Sequence, residues 1–217
     1  MFHLTKEGIP YGTIILGSRA TWLDRHAAEE LRSYVKKLSG ATLLITHERY
    51  ASSIEGGKIL IGRASTSDIV GAFAAHYPDV LPEESDTEND CVAYAVRGDT
   101  LVISGSNDRS VYYSVCHLLQ TEFGVGFYWD RDVFEKKRSL SLPDGLTLQE
   151  RSEFKMRHTI GQWVYNYGAF LNEAERREEL DKYARNKINS YRLYSWNSYA
   201  RKKTFIELGL TGIEITA

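Results

Sequence analysis

Several short stretches bring acidic, histidine or glycine residues close enough together to suggest chemistry. His26 stands with Glu29 and Glu30 at helical spacing, which would set metal ligands on one helix face. No HExxH accompanies them, so the spacing reads as a surface helix and not as a zinc site. Asp130-Arg131-Asp132 has the outline of a metal-binding DxD, but a turn at a domain junction accounts for it better. Residues 83–90, EESDTEND, hold five acidic side chains in eight positions. They lack the DxDxDG spacing and terminal Glu of a calcium loop, and their mutual repulsion predicts an exposed loop. Gly105-Ser106-Asn107-Asp108 precedes a helix as a phosphate loop would. It lacks the GxxxxGK[ST] order, and Asp108 would repel a phosphate there. GxGxxG is absent, and no Ser/His/Asp or Cys/His arrangement is legible. Cys116 falls on the apolar side of a helical pattern, where a thiol acts as a small hydrophobe, and Cys91 forms no CxxC with it. His117 lies beside the same stripe, as a core or boundary histidine. The sequence therefore predicts no metal and no cofactor.

Those residues must be positioned by an ordinary globular chain. The 217 residues are 42% hydrophobic and 26% charged, which excludes a disordered polypeptide. Twenty-seven basic against 29 acidic residues give a formal net charge of -2, with no general drive toward nucleic acid or an anionic membrane. No stretch approaches the ~20 apolar residues that span a bilayer. The opening MFHLTKEGIP shows neither a basic nor an apolar signal region, so the expected location is the cytoplasm. Aromatic residues reach 12%, which suits sugar stacking and large cores alike.

The first part alternates strands and helices. Thr13–Leu16, Leu43–Thr46 and Lys58–Ile61 read as short strands. From Trp22 to Leu38, Leu23, Ala27, Leu31, Tyr34, Val35 and Leu38 recur every three or four residues, a helix ended by Gly40. Cys91–Arg97 and Thr100–Ser104 flank Gly98-Asp99, the pattern of a two-residue type II′ hairpin. A helix capped by Asn107 or Asp108 runs to Gly124, a strand follows over Val125–Trp129, and residues 141–145 read as a linker. Beyond it, Phe154–Ile160 and Ile188–Trp196 read as strands, separated by a charged helix over Asn172–Asn186 that turns Leu180, Tyr183 and Ala184 inward. Tyr199–Leu208 starts another helix. Consecutive βα units imply parallel strands, which need cover on both faces or closure into a barrel. A full (β/α)8 barrel takes about 250 residues, so two units read as the truncated start of one.

Particular segments resemble a known arrangement. HAAEELRSYVKKLSGATLLI, GKILIGRAS and YAVRGDTLVISGSNDRSVYYSVCHLLQTEFGVGFYWDRD resemble the small α/β domain that precedes the catalytic barrel in β-hexosaminidases, family 67 α-glucuronidases and family 89 α-N-acetylglucosaminidases. The resemblance covers roughly residues 12–148. FKMRH, Phe154–His158, is similar to the first barrel strand of these enzymes, and YARNKINSYRLYSW to their helix and second strand. ELGLTGIEI, Glu207–Ile215, looks most like family 89, whereas Thr159-Ile160-Gly161-Gln162 departs from that family's Asn-x-Cys-Thr. The implied fold is an α+β accessory domain over 1–148, with a mixed sheet and two main helices, followed by the start of a glycoside hydrolase barrel over 149–217.

Glycoside hydrolysis ordinarily uses two carboxyl groups, about 5 Å apart for retention and about 6.5–9.5 Å for inversion. In a barrel they sit at the carboxyl ends of strands. Here Gly161, Gln162 and Trp163 follow the first strand, and Asn197 and Ser198 follow the second, with no acid among them. Glu178, Glu179 and Asp181 lie on the helix between, as solvated partners of Arg176, Arg177 and Lys182. The resemblance implies that catalytic carboxylates come from later strands and that Arg157 hydrogen-bonds sugar hydroxyls. Arg157 reads equally well as an ion-pair residue at the opposite end of the strand. Trp163 and Trp196 offer stacking faces, although packing explains large aromatics too. The expected ligand is a carbohydrate, with no nucleic acid or membrane partner. The expected parent activity is removal of terminal N-acetylglucosamine or glucuronic acid. The alternative is a non-catalytic carbohydrate-binding or protein-interaction module.

Overall fold

A computed structural model describes residues 1–161 and 172–193. It divides into two units, one of Met1–Lys155 with Arg185–Lys187, the other of Met156–Ala184 with the chain from Ile188. The first unit centres on a six-stranded mixed sheet. Its strands are β3 (Gly12–Leu16), β4 (Leu44–His47), β5 (Gly57–Ile61), β6 (Cys91–Arg97), β7 (Thr100–Gly105) and β11 (Thr147–Arg151). Their spatial order is β11-β6-β7-β5-β3-β4. β7, β5, β3 and β4 run parallel, while β6 joins β7 and β11 in antiparallel pairs. A smaller antiparallel sheet lays β1 (Phe2–Lys6) between β10 (Leu140–Leu142) and β2 (Ile9–Pro10), and β8 (Gly126–Phe127) pairs with β9 (Asp132–Val133).

Alternation along the strands fills both faces of the large sheet. Ile15, Leu60, Ala95 and Val102 pack with Val70 and Phe73 of α2 (Asp68–His76). The intervening residues, Ile14, Ile59, Tyr94, Leu101 and Ile103, are fully buried on the other side. Tyr94 reaches the end of α3 (Asp108–Thr121), where its hydroxyl meets Thr121 and Glu122. α3 packs beside α1 (Trp22–Ser39).

Local chemistry explains the helix ends. Thr21 and Asp24 form a reciprocal capping box on α1, Asn107 and Ser110 form one on α3, and Ser67 caps α2. Gly40 closes α1 in the left-handed conformation, φ 83°. In the hairpin only Gly98 of the central pair has positive φ, 57°, as a type II′ turn requires. Gly17, just past β3, is held by space: a Cβ there would lie 2.1 Å from the Thr66 carbonyl oxygen.

Several expectations are corrected. α2, nine residues long, is a short helix beside the two main ones and was not expected. Residues 141–145 are not a free linker, because β10 carries Ser141 and Leu142 into the small sheet. The strand read over Val125–Trp129 is only Gly126–Phe127, and Tyr128 and Trp129 are 60% and 57% exposed. The acidic run is partly anchored: Asp90 is buried and accepts from Asn107 and Arg109, and Glu84 accepts from Arg63 and Ser65. Local guanidinium and amide donors offset the repulsion that predicted a wholly solvated loop.

In the second unit β12 (His158–Gly161) and β13 (Ser190–Leu193) pair in parallel, from His158 opposite Ser190 to Gly161 opposite Leu193. α4 (Glu173–Arg185) connects them. Arg177 pairs with Glu173 and Lys182 with Glu178, one turn apart. Leu180 is exposed, whereas Glu179 is buried beside the Tyr183 hydroxyl, reversing the inward and solvated roles read for them. Among the described residues this is one βαβ unit, and the helix expected over Tyr199–Leu208 lies outside them.

Candidate functional site

The carboxyl ends of β12 and β13, at Gly161 and Leu193, are where a barrel would place its site. Neither strand carries an acidic residue, HTIG and SYRL. Trp163 and Trp196 lie outside the described residues. Arg157 stands at the opposite, amino end of β12. Its backbone N–H donates to Asn189 Oδ1 at 2.8 Å, and its carbonyl accepts from Asn189 and Ser190. This clamps the two strand starts together, and it is the end at which a barrel keeps stabilising rather than reacting groups. The structure thus brings Arg157 together with Asn189, and does not describe it beside either tryptophan.

The first unit has its own convergence of chain ends. β3, β5 and β7 each lead into a helix, so the N-termini of α1, α2 and α3 follow the carboxyl ends of parallel strands. Ligands of open α/β sheets bind at such ends. Here the protein's own carboxylates fill them. Glu48 accepts from the Ser18 N–H at 2.6 Å, the Ser67 hydroxyl at 2.8 Å and the Ile69 N–H. Burial works against its charge, but those bonds outweigh it and pull its carboxyl down to about 2. Glu84 takes the Ser65 N–H at 2.8 Å and pairs with Arg63, which also binds Asp108. Gly17 leaves no gap, and the Arg19 N–H bonds directly to the Thr66 carbonyl. The Ser18, Ser65 and Ile69 N–H groups are therefore taken by carboxylates, while Arg63 Nε is buried with no hydrogen-bond partner among the described residues.

Other sequence candidates also resolve into structure. His26 is stacked between Trp22 and Tyr112, at 5.2 and 4.9 Å between ring centroids. Glu30, its helical neighbour, is buried in an ion pair with Arg185 and accepts from the Tyr112 hydroxyl. Asp132 accepts from the Tyr34 hydroxyl. Among the described residues no cluster of three metal-ligating side chains occurs. His117 is buried, with Lys187 Nζ 2.9 Å from its Nδ1; burial and that cation lower its pKa. Cys91 and Cys116 are both buried free thiols, and burial raises the pKa of each. Among the described residues no helix is long and apolar enough to cross a membrane. Sequence spacing missed the Glu48 and Arg185 contacts, whose partners lie in distant segments.

With this geometry in place, comparison with solved structures is informative. A family 115 4-O-methyl-α-glucuronidase with specificity for decorated arabinogalactans superimposes with a TM-score of 0.62, at 14% identity, over 88% of this chain and 25% of that one. This chain shares the fold of that stretch of the enzyme. A family 138 enzyme targeting pectin rhamnogalacturonan II matches with a TM-score of 0.54, at 13% identity, over 87% of this chain and 25% of that one. A family 89 glycoside hydrolase from Clostridium perfringens gives 0.48 at 14% identity, over 80% of this chain and 16% of that one, a value that does not discriminate among families. This chain spans about a quarter of the first two enzymes. No family model matches the sequence, and no curated protein sequence does.

Proposed function

We propose that these residues form the opening portion of a carbohydrate-active glycoside hydrolase: an accessory α/β domain over about 1–148 and the first units of a catalytic barrel over 149–217. The carrying observation is the fold, shared over 88% of this chain with a quarter of a glucuronidase. The parallel β12-α4-β13 unit supports a barrel start, because an adjacent parallel pair with a helical crossover is its repeating element. The substrate is a glycan ending in N-acetylglucosamine or glucuronic acid. Trp163 and Trp196 provide stacking faces near the strand ends, and Arg157 either contacts a sugar hydroxyl or ties the strand starts together. The acid and the nucleophile or base lie on other strands of the parent enzyme.

The division of labour has a direct test. The purified 217-residue chain is expected to give no turnover of aryl N-acetylglucosaminides or aryl glucuronides. Measurable hydrolysis that survives repurification would overturn it. A non-catalytic carbohydrate-binding or protein-interaction module remains the second reading, favoured by the first unit's having a buried core of its own around its sheet.

A further inference from the structure

One groove of the first unit gathers more cations than carboxylate partners, two of them in the last turn of α1. The groove, of about 440 Å³, lies between the last turn of α1, the β1–β2 turn and the segment leading into β10. Lys36, Lys37, Lys136 and Arg138 line it, with the positive-φ glycines Gly8 and Gly40. Backbone bonds fix the groove in advance: Gly8 N–H to the Arg138 carbonyl at 2.8 Å, Gly40 N–H to Lys36 at 2.9 Å, and Lys137 N–H to Leu38 at 2.9 Å. A Cβ at Gly40 would meet nothing within 4 Å, so the wall is open there.

The charges divide clearly. Lys37 is occupied by Asp132 at 3.6 Å and by the Tyr34 ring. Arg138 donates one N–H to the Glu7 carbonyl at 2.9 Å, which anchors the guanidinium while its other donors have no partner among the described residues. Lys36 and Lys136 have no carboxylate partner among the described residues. Of the nearby acids, Glu135 lies 4.0 Å from Lys137, and Glu7 accepts from the Ser139 hydroxyl while keeping its negative charge beside the groove. In a chain of net charge -2, this is a local concentration of cations and not an overall bias.

We infer that this groove binds a carboxylate-bearing oligosaccharide, a short uronic-acid chain. An Arg fork matches a carboxylate in two directions, and two lysines at the rim accept the next charges along a chain. The choice of a glycan over another polyanion rests on the hydrolase reading above; the anion-binding groove itself does not.

The experiment titrates the 217-residue chain with trigalacturonate and with its fully methyl-esterified, uncharged form, in low and high salt. Inorganic polyphosphate and a short single-stranded oligonucleotide are run beside them. Trigalacturonate is expected to bind and to weaken with salt, the ester not to bind, and Lys36→Ser with Lys136→Ser to weaken binding about tenfold with the thermal melt unchanged. Equal binding of acid and ester, binding unaffected by the double variant, or no binding of any anion overturns the groove. Tighter groove binding of polyphosphate or oligonucleotide overturns the glycan assignment alone. None of these outcomes bears on the turnover assay, so failure of the groove and failure of the hydrolase reading are separable.

Discussion

Glu30→Ala is expected to lower the unfolding free energy by about 3–5 kcal/mol, the usual cost of removing one partner from a buried ion pair. Glu30 and Arg185 have side-chain exposures of 9% and 16%, and the carboxylate also accepts from the Tyr112 hydroxyl. Burial works against the Arg185 charge, yet the bond to Glu30 outweighs it and the net effect stabilises the cation. Without Glu30 the guanidinium would lose its paired carboxylate and keep the Tyr34 ring, 5.7 Å from its centroid. Replacing the pair by Glu30→Met with Arg185→Leu should recover most of the loss, because hydrophobic substitutes avoid the desolvation of both charges. Urea unfolding reads both results as midpoint shifts. A Glu30→Ala loss below about 1 kcal/mol would show that Arg185 does not depend on this socket.

Glu48→Gln should cost about 2 kcal/mol at neutral pH, since the amide nitrogen would face a backbone or hydroxyl donor where the carboxylate accepts three bonds. Its effect has a defined pH window. The folded carboxyl titrates near 2, below the unfolded value of about 4.3. The stabilisation is therefore complete above the unfolded value and is lost as pH falls from about 4 toward 2. The wild type should show a steeper acid limb than the Gln variant. Parallel limbs would remove Glu48 from the account of how the helix ends are filled.

How much of this was legible follows from distance along the chain. α1 and the β6–β7 hairpin were legible because their signals are local: a long 3.6-residue apolar period ended by Gly40, and a Gly-Asp pair between alternating strands. α2 was not, since DIVGAFAAH is short, apolar on most sides and interrupted by Gly71. β10 was read as linker because its partner β1 lies at the other end of the unit, and pairing across that separation leaves no periodic trace. For the candidate sites, the absence of acids on β12 and β13 was readable residue by residue. The Glu48 plug and the Glu30–Arg185 pair were not, because they join segments that only the fold brings together. Lys36-Lys37 and Lys136-Lys137-Arg138 are ordinary charge runs in sequence; their convergence on one groove is tertiary.

The proposed function makes one claim above the others, that these residues open a longer hydrolase whose carboxylates lie on other strands. The intact mass of the protein purified from its native source tests it most directly. The account predicts a mass larger by several tens of kilodaltons than the 24.7 kDa of these residues. A native mass of 24.7 kDa would contradict it and leave a binding module in its place.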